Sequence, residues 1–129
     1  MKNIDDIDID EALESLSKPD SRKLRKALIE AGIEVPDYPN AAHHIVAGNS
    51  SNAIEAREIL KRFGIDINTA PNGVFLPTVL DVSDAVYHPS LHSTSYYRKV
   101  TRLLSDANSK QDVLDILASI AEQLKKGKF

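Results

Sequence analysis

Three short stretches of this sequence decide its fold: AHHIVA at residues 42–47, NGVFLP at residues 72–77 and HPSLH at residues 88–92. They contain all four histidines of the chain, as an adjacent pair and as a pair spaced four residues apart. Three imidazoles can hold a catalytic divalent metal with an open coordination position, and a fourth can act as a general base. The sequence therefore predicts metal-assisted hydrolysis, with a phosphodiester as the expected substrate.

The two histidine pairs differ in what their spacing allows. Adjacent side chains on an extended backbone point to opposite sides, so one member of the His43-His44 pair can bind a metal while its neighbour removes a proton from water. Positions i and i+4 share one face of a helix, so His88 and His92 can chelate one ion together. One divalent ion (Zn²⁺, Ni²⁺, Mn²⁺ or Mg²⁺) is the expected cofactor, and imidazole ligands favour a transition metal over Mg²⁺.

Composition limits the class of protein and the kind of site. The chain has 129 residues, 42% of them hydrophobic, which is enough for one ordinary domain with a single core. Because it has no cysteine, disulfides and thiolate metal sites are excluded. No apolar run approaches the roughly 18 residues of a membrane span, and the first residues are too acidic for a signal peptide. We therefore expect a soluble chain with no membrane contact and no targeting signal of its own.

The net charge of −3 is unevenly distributed. Residues 1–20 carry seven acidic side chains against two lysines, whereas the rest of the chain carries 14 basic against 12 acidic side chains. The weakly positive remainder removes an objection to a phosphate-rich substrate but does not by itself indicate one. The histidines, rather than the charge, support the functional prediction.

Helices are predicted where apolar residues recur every three or four positions. Residues 42–47 and 74–76 are expected to form two strands that face each other, with strand character also at 65–67 and a hairpin turn at Asn72-Gly73. The expected fold class is α+β, a mostly helical domain with a small β-hairpin. Residues 1–35 would form an acidic arm and a basic helix, and residues 36–129 the main domain with a C-terminal packing helix. The predicted helices cover residues 4–16, 20–31, 51–63, 88–106 and 109–126.

Each of these signals has a structural explanation when it is taken alone. Paired histidines are common on surfaces and in satisfied cores, and Asn-Gly is usually only a turn. Their order is more informative: paired histidines on a strand, an asparagine at a turn before a second strand, then two histidines one turn apart on the next helix. That order is the layout of a ββα-metal site.

Together with Tyr96-Tyr97, Val100 and Leu104, these stretches resemble the AHH family of the HNH/endonuclease VII superfamily, over residues 40–107. The resemblance implies a ββα-metal (HNH-like) core and nuclease activity. It also implies a role as a toxin module of bacterial polymorphic toxin systems. Residues 1–35 and the final helix lie outside the stretch that carries the resemblance.

The resemblance implies a role for each matched residue. His43 would be a metal ligand and His44 the general base, and His88 and His92 would complete the metal triad. Asn72 would stand for the middle asparagine of the HNH motif, which ties the loop together and helps to orient the base.

Further candidates lie near these residues. Asn68 is the alternative to the middle asparagine at 72. Arg98, Lys99 and Arg102 follow the second histidine pair and are candidates for contacting substrate phosphates, although solvated charge is the better explanation for any single one of them.

The resemblance favours DNA as the substrate, cut with little sequence specificity to leave 5′-phosphate and 3′-hydroxyl ends. It implies an interbacterial effector, part of a larger secreted polypeptide, that acts in the cytoplasm of a target cell and is neutralised by a cognate immunity protein in the producer. Three alternatives remain open: an RNA-cleaving toxin of the same fold, a non-catalytic binding module stapled by a metal, and a metal-free interaction domain.

Overall fold

A computed structural model describes residues 18–129 of the chain. In this range no helix is long and apolar enough to span a membrane. The expected α+β class, mostly helical with a small hairpin, is confirmed. Short 3-10 turns lie at Ser51–Ala53, Ala70–Asn72 and His88–Leu91. The regular elements are α1 (Ser21–Glu30), β1 (Asn40–His44), α2 (Ile54–Arg62), β2 (Gly73–Pro77), α3 (Thr94–Ser105) and α4 (Lys110–Lys125).

The two strands form an antiparallel pair in which His43 lies opposite Val74 and His44 opposite Gly73. The predicted pairing of these two strands is confirmed. Both faces of the pair are covered, since Phe75 packs in a cluster with α1 while Val74 packs in the main core with α2, α3 and α4. Because side chains alternate along a strand, the two histidines of β1 project to different faces.

The first and last helices follow from their caps and apolar stripes. Asp20 accepts hydrogen bonds from the first turn of α1, and Gly32 follows that helix with φ of +84°, a conformation that glycine adopts without strain. The Ser109 hydroxyl caps α4 by accepting from the Asp112 amide at 3.0 Å. The helices predicted over 20–31 and 109–126 are confirmed. The buried stripe of α4 consists of Val113, Leu117, Ile120 and Leu124.

The hairpin turn predicted at Asn72-Gly73, between residues 65–67 and β2, is wrong, because Ala70–Asn72 form a 3-10 turn and no strand precedes it at residues 65–67. Gly73 is extended, with φ of −126°, and it is needed for close packing: a Cβ there would lie 2.7 Å from the Leu24 side chain of α1. Residues 65–67 form no strand. The Asp66 carboxylate accepts a hydrogen bond from the backbone N–H of Asn68 at 2.7 Å, and such local bonds compete with strand pairing.

The predicted helix over 88–106 is interrupted after its first turn. His88–Leu91 is a 3-10 turn, and α3 begins only at Thr94, because the Ser93 hydroxyl caps it by accepting from the Tyr96 amide at 3.2 Å. The helix predicted over 51–63 likewise starts with a 3-10 turn, and its cap is Ser50. The helix predicted over 4–16 lies outside the described residues.

Asn72 joins the end of β1 to the loop before β2. Its side chain is fully buried; its Oδ1 accepts from the Val46 amide at 2.8 Å, and its Nδ2 donates to the carbonyls of Val46 at 3.3 Å and Ile67 at 3.0 Å. Its own carbonyl accepts from the Ile45 amide at 2.9 Å. The asparagine thus continues the pairing of β1 for two residues beyond the strand.

Asn72→Ala is expected to lower the free energy of unfolding by about 3 kcal/mol or more, because it leaves three buried backbone groups unpaired at roughly 1–3 kcal/mol each. Urea unfolding measures the change. Asn49→Ala, an exposed asparagine in the preceding loop, is the matched control and should stay within about 0.5 kcal/mol of the parent. Equal stability of the two variants would contradict the role given to Asn72.

Candidate active site

The structure brings the four histidines together where β1 meets the 3-10 turn before α3. The ring centres of His43 and His88 are 5.1 Å apart, and those of His88 and His92 are 5.0 Å apart. His43 is buried, with 5% of its surface exposed, His88 is half-buried, and His92 is exposed. The three rings are therefore successive neighbours, from buried His43 to exposed His92, although His88 and His92 lie on a 3-10 turn and its end rather than on an α-helix.

Tyr96 of α3 fixes the tautomer of His43. The tyrosine hydroxyl donates to the Ile45 carbonyl at 2.8 Å, and it lies 2.9 Å from Nε2 of His43. Because its one proton goes to the carbonyl, the Nε2–H of His43 must donate to the hydroxyl oxygen. Burial raises the pKa of Tyr96, so the phenol stays protonated. Nδ1 of His43 is left as the nitrogen with a free lone pair.

Asn68 fixes the tautomer of His44 on the other side of the strand. Nε2 of His44 lies 2.8 Å from Oδ1 of Asn68, which also accepts from the Asp20 amide at 2.9 Å. The amide nitrogen of Asn68 donates to the Lys18 carbonyl at 2.6 Å, so the side chain has a defined orientation. Since an amide oxygen only accepts, His44 donates through Nε2, and Nδ1 is free to take a proton.

The resemblance implies that Asn72 both ties the loop together and helps to orient the base, but in the structure these two contacts come from two different asparagines. Asn72 ties the loop together, and the contact with His44 comes from Asn68, four residues earlier. Tyr96 also belongs to the candidate site through its hydroxyl, and the sequence alone did not indicate this contact. Its signal was a tyrosine on the apolar stripe of a helix, since a buried tyrosine hydroxyl usually has a hydrogen-bond partner.

The three candidate phosphate contacts on α3 have different surroundings. Arg98 and Arg102 are exposed and line an open groove beside α2. Lys99 is partly buried, and its ammonium lies 4.1 Å from the ring centre of Phe129. The two arginines are therefore accessible to a large anionic ligand, whereas the lysine is already engaged.

The environment keeps the inner histidines uncharged. Burial, and to a smaller extent the neighbouring His88, His44 and His92, together lower the pKa of His43 from 6.5 to about 3. The pKa of His88 is also lowered, chiefly by burial and then by His92 and His44. A neutral imidazole is the form that binds a metal, so these shifts favour metal binding over protonation.

The free energy of unfolding of the metal-free protein is expected to fall as the pH drops from about 7 to 5. The pKa of His43 is 6.5 when unfolded and about 3 when folded, so in this window the unfolded chain binds a proton that the folded chain does not. The contribution of His43 to the free energy of unfolding is fully present above pH 6.5 and is lost towards pH 3. The loss is at most about 1.4 kcal/mol per pH unit for one proton. Urea unfolding against pH measures it. His43→Gln, whose amide can still donate to Tyr96, should have the shallower slope, and equal slopes would contradict the assignment.

The donor set of His43, His88 and His92 fits a divalent transition metal. Two imidazoles that bind one ion at about 2.0–2.1 Å have ring centres roughly 5 Å apart, and the two neighbouring pairs match this spacing, at 5.1 and 5.0 Å. Within residues 18–129 no three such side chains already converge as a finished ligand set. The ring planes must therefore turn to share an ion, and exposed His92 has the room to do so.

The chain matches a known family over most of its length. The model of AHH, a nuclease family of the HNH/ENDO VII superfamily with conserved AHH, matches residues 24–124. No curated protein and no solved structure matches the chain. The matched region includes most of α1 and α4, and is therefore longer than the 40–107 stretch that carries the resemblance in the sequence.

Proposed function

The chain belongs to the AHH family of nucleases, and from that premise we propose that it is a metal-dependent endonuclease that hydrolyses DNA with little sequence specificity. One observation carries the proposal. His44 is held by Asn68 with Nδ1 free, while its neighbour His43 is the first of three neighbouring histidines on the other side of the strand. A base and a candidate metal site thus lie on consecutive residues, as the hydrolysis of a phosphodiester requires.

In the proposed reaction, Nδ1 of His44 removes a proton from a water molecule as the water oxygen attacks phosphorus in line. The new P–O bond forms as the bond to the 3′ oxygen breaks, and that oxygen leaves with the electron pair and is protonated by solvent. The products are a 5′-phosphate and a 3′-hydroxyl. Asn68 stabilises the protonated His44, because the Nε2–H that it accepts becomes a stronger donor when the ring is charged.

Nucleases of this superfamily typically use a divalent metal. His43, His88 and His92 would hold it here, and it would neutralise negative charge on the phosphate and on the departing 3′ oxygen. Three neutral imidazoles favour Zn²⁺, Ni²⁺ or Mn²⁺ over Mg²⁺. Tyr96 would act on the ion indirectly, since a hydrogen bond to the second ring nitrogen of a ligand histidine sets its orientation.

The proposed biological role is that of a toxin payload. The support is the resemblance to nuclease modules of polymorphic toxins. On this proposal the chain is part of a larger secreted polypeptide, acts in the cytoplasm of a target bacterium, and is neutralised by an immunity protein in the producer. Expression inside bacteria should arrest growth with loss of chromosomal DNA, and His44→Ala should not. Growth arrest by both proteins, or by neither, would contradict this role.

The substrate is tested with end-labelled duplex DNA, single-stranded DNA and RNA of one sequence, incubated with the purified chain and Mn²⁺. We expect both forms of DNA to be cut at many positions, because none of the site residues is placed to read base edges. The products should carry 5′-phosphates that a ligase can join. Cleavage of the RNA alone would replace the proposal with an RNA-cleaving toxin of the same fold.

A further inference from the structure

A groove of about 620 Å³ lies between α3 and the turn that starts α2, apart from the histidines. Four of its lining residues, Arg98, Thr101, Arg102 and Ser105, recur at i, i+3, i+4 and i+7 and so form one face of α3. This face is distinct from the buried stripe of the same helix, which contains Tyr96. We call this feature the α2–α3 groove.

The α3 wall of the groove carries two positive charges that are open to solvent. Arg98 and Arg102 are exposed, and neither forms an ion pair with any carboxylate of residues 18–129. They lie four residues apart, about 6 Å along the axis. Guanidinium groups bind phosphate oxygens through paired N–H donors, so two of them on one face suit a ligand with successive phosphates.

The opposite wall supplies neutral donors. Ser51 and Asn52 are exposed, and their side chains make no hydrogen bond within the described part of the chain. Arg57 holds this turn in place by donating to the carbonyls of Ala47 at 2.9 Å and Ser50 at 2.7 Å. The wall is therefore fixed before any ligand arrives.

The remaining polar groups in the groove help to define the ligand. The hydroxyls of Thr101 and Ser105 donate to backbone carbonyls of their own helix, so they are not available as donors. Glu55 also lines the groove and places a carboxylate among the donors. An anionic ligand would be repelled by Glu55. Removing the charge of Glu55 should therefore strengthen binding, whereas removing the arginines should weaken it.

We infer that the α2–α3 groove binds backbone phosphates that flank the phosphodiester being cut. The inference rests on the proposed function, since it assigns the substrate of that site a second contact. Helix α3 connects the two places rigidly: Tyr96 bonds to His43, and Arg98 and Arg102 lie roughly 3 and 9 Å further along the axis. The enzyme would therefore hold a polymer and not only one phosphodiester, and would hold it without reading its bases.

The test is binding without cleavage, measured on His44→Ala with chelator, by fluorescence anisotropy on DNA and RNA of one sequence over a range of salt. Adding Arg98→Ala and Arg102→Ala should weaken binding and lower the slope of log K against log salt by about 1 per arginine. Glu55→Gln should bind more tightly. Lys110→Ala, an exposed cation at the start of α4 that forms no ion pair with the described residues, is the matched control and should keep the parent's slope.

The outcomes separate the groove from the proposed function. A lower slope on DNA alone supports the inference with DNA as the ligand, and a lower slope on both polymers supports it with the shared phosphate backbone as the ligand. A double arginine variant with the slope of its parent on both polymers, or a Glu55→Gln variant that binds no more tightly, would overturn the inference. Parallel cleavage by the unmutated chain reports on the nuclease itself, so a groove that fails beside an active enzyme leaves the proposed function intact.

Discussion

Replacing His44 with alanine is expected to lower the rate of phosphodiester cleavage by about 10²- to 10⁴-fold, the range that a positioned general base contributes. The imidazole is bonded to Asn68 through Nε2 at 2.8 Å and has Nδ1 free. Alanine therefore removes the proton acceptor while leaving His43, His88 and His92 in place. Single-turnover cleavage of a labelled DNA duplex, with saturating metal, measures the rate.

The controls for this variant separate a base from a structural group. Metal affinity should match that of the parent, and stability should fall by only about 1 kcal/mol for the one hydrogen bond lost. Added imidazole should restore part of the rate, because a free base can enter the space that the side chain leaves. Loss of metal or of the fold along with cleavage would instead favour a module that all four histidines staple around an ion.

Replacing His88 or His92 with alanine is expected to reduce cleavage to the level of the chelator-treated protein. Loss of a group that merely supports a metal ligand costs about 10- to 100-fold in affinity, so loss of a ligand itself should cost more than about 100-fold. Isothermal titration with Zn²⁺ or Mn²⁺ measures the affinity directly. We expect these losses because His88 lies between the other two ligands: its ring centre is 5.1 Å from that of His43 and 5.0 Å from that of His92.

Ser90→Ala is the matched control for these two variants. Ser90 lies in the same 3-10 turn, is exposed, and donates to the Tyr87 carbonyl at 2.7 Å. If the histidine variants lose metal affinity and cleavage only because the turn unfolds, Ser90→Ala should lose both as well. Metal affinity that survives in both His88→Ala and His92→Ala would contradict the assignment of the three ligands.

The helices with the clearest local signals were predictable from the sequence. In α4 a serine cap precedes an uninterrupted apolar stripe, and in α1 the stripe ends at Gly32, whose positive φ stops the helix. These signals act within one turn, so the sequence displays them directly. The pairing of β1 with β2 was also predictable, because both segments are short and apolar.

The errors occurred where tertiary packing decides the local conformation. The sequence predicts a hairpin turn at Gly73, but the Leu24 side chain of α1, far away in the sequence, is what excludes a Cβ there. The interruption before α3 had a local signal, the Ser93 cap, but Pro89 at the start of the segment suggested one continuous helix. The ring spacing suited to a shared ion nevertheless arises, because His92 follows the 3-10 turn in a non-helical conformation, with φ of −84° and ψ of 65°, and its ring centre lies 5.0 Å from that of His88.

The site itself was predictable as a set of histidines but not as a network of hydrogen bonds. Asn68 and Asn72 are four residues apart in one loop, and no local rule shows which of them reaches His44. The choice depends on α1, because the Asp20 amide also donates to the side chain of Asn68. The tautomer of His43 depends on Tyr96 in the same way, through a contact 53 residues away in the sequence.

The central claim is that the three histidines hold an ion for a reaction in which His44 is the base. Plasmid nicking by the purified chain, first stripped of metal and then resupplied in parallel with Mg²⁺, Mn²⁺, Ni²⁺ or Zn²⁺, tests it most directly. We expect no nicking in the stripped protein, and restored nicking with at least one transition metal that His44→Ala does not show. An intact plasmid with every ion, or nicking that is the same with and without metal, would contradict the account.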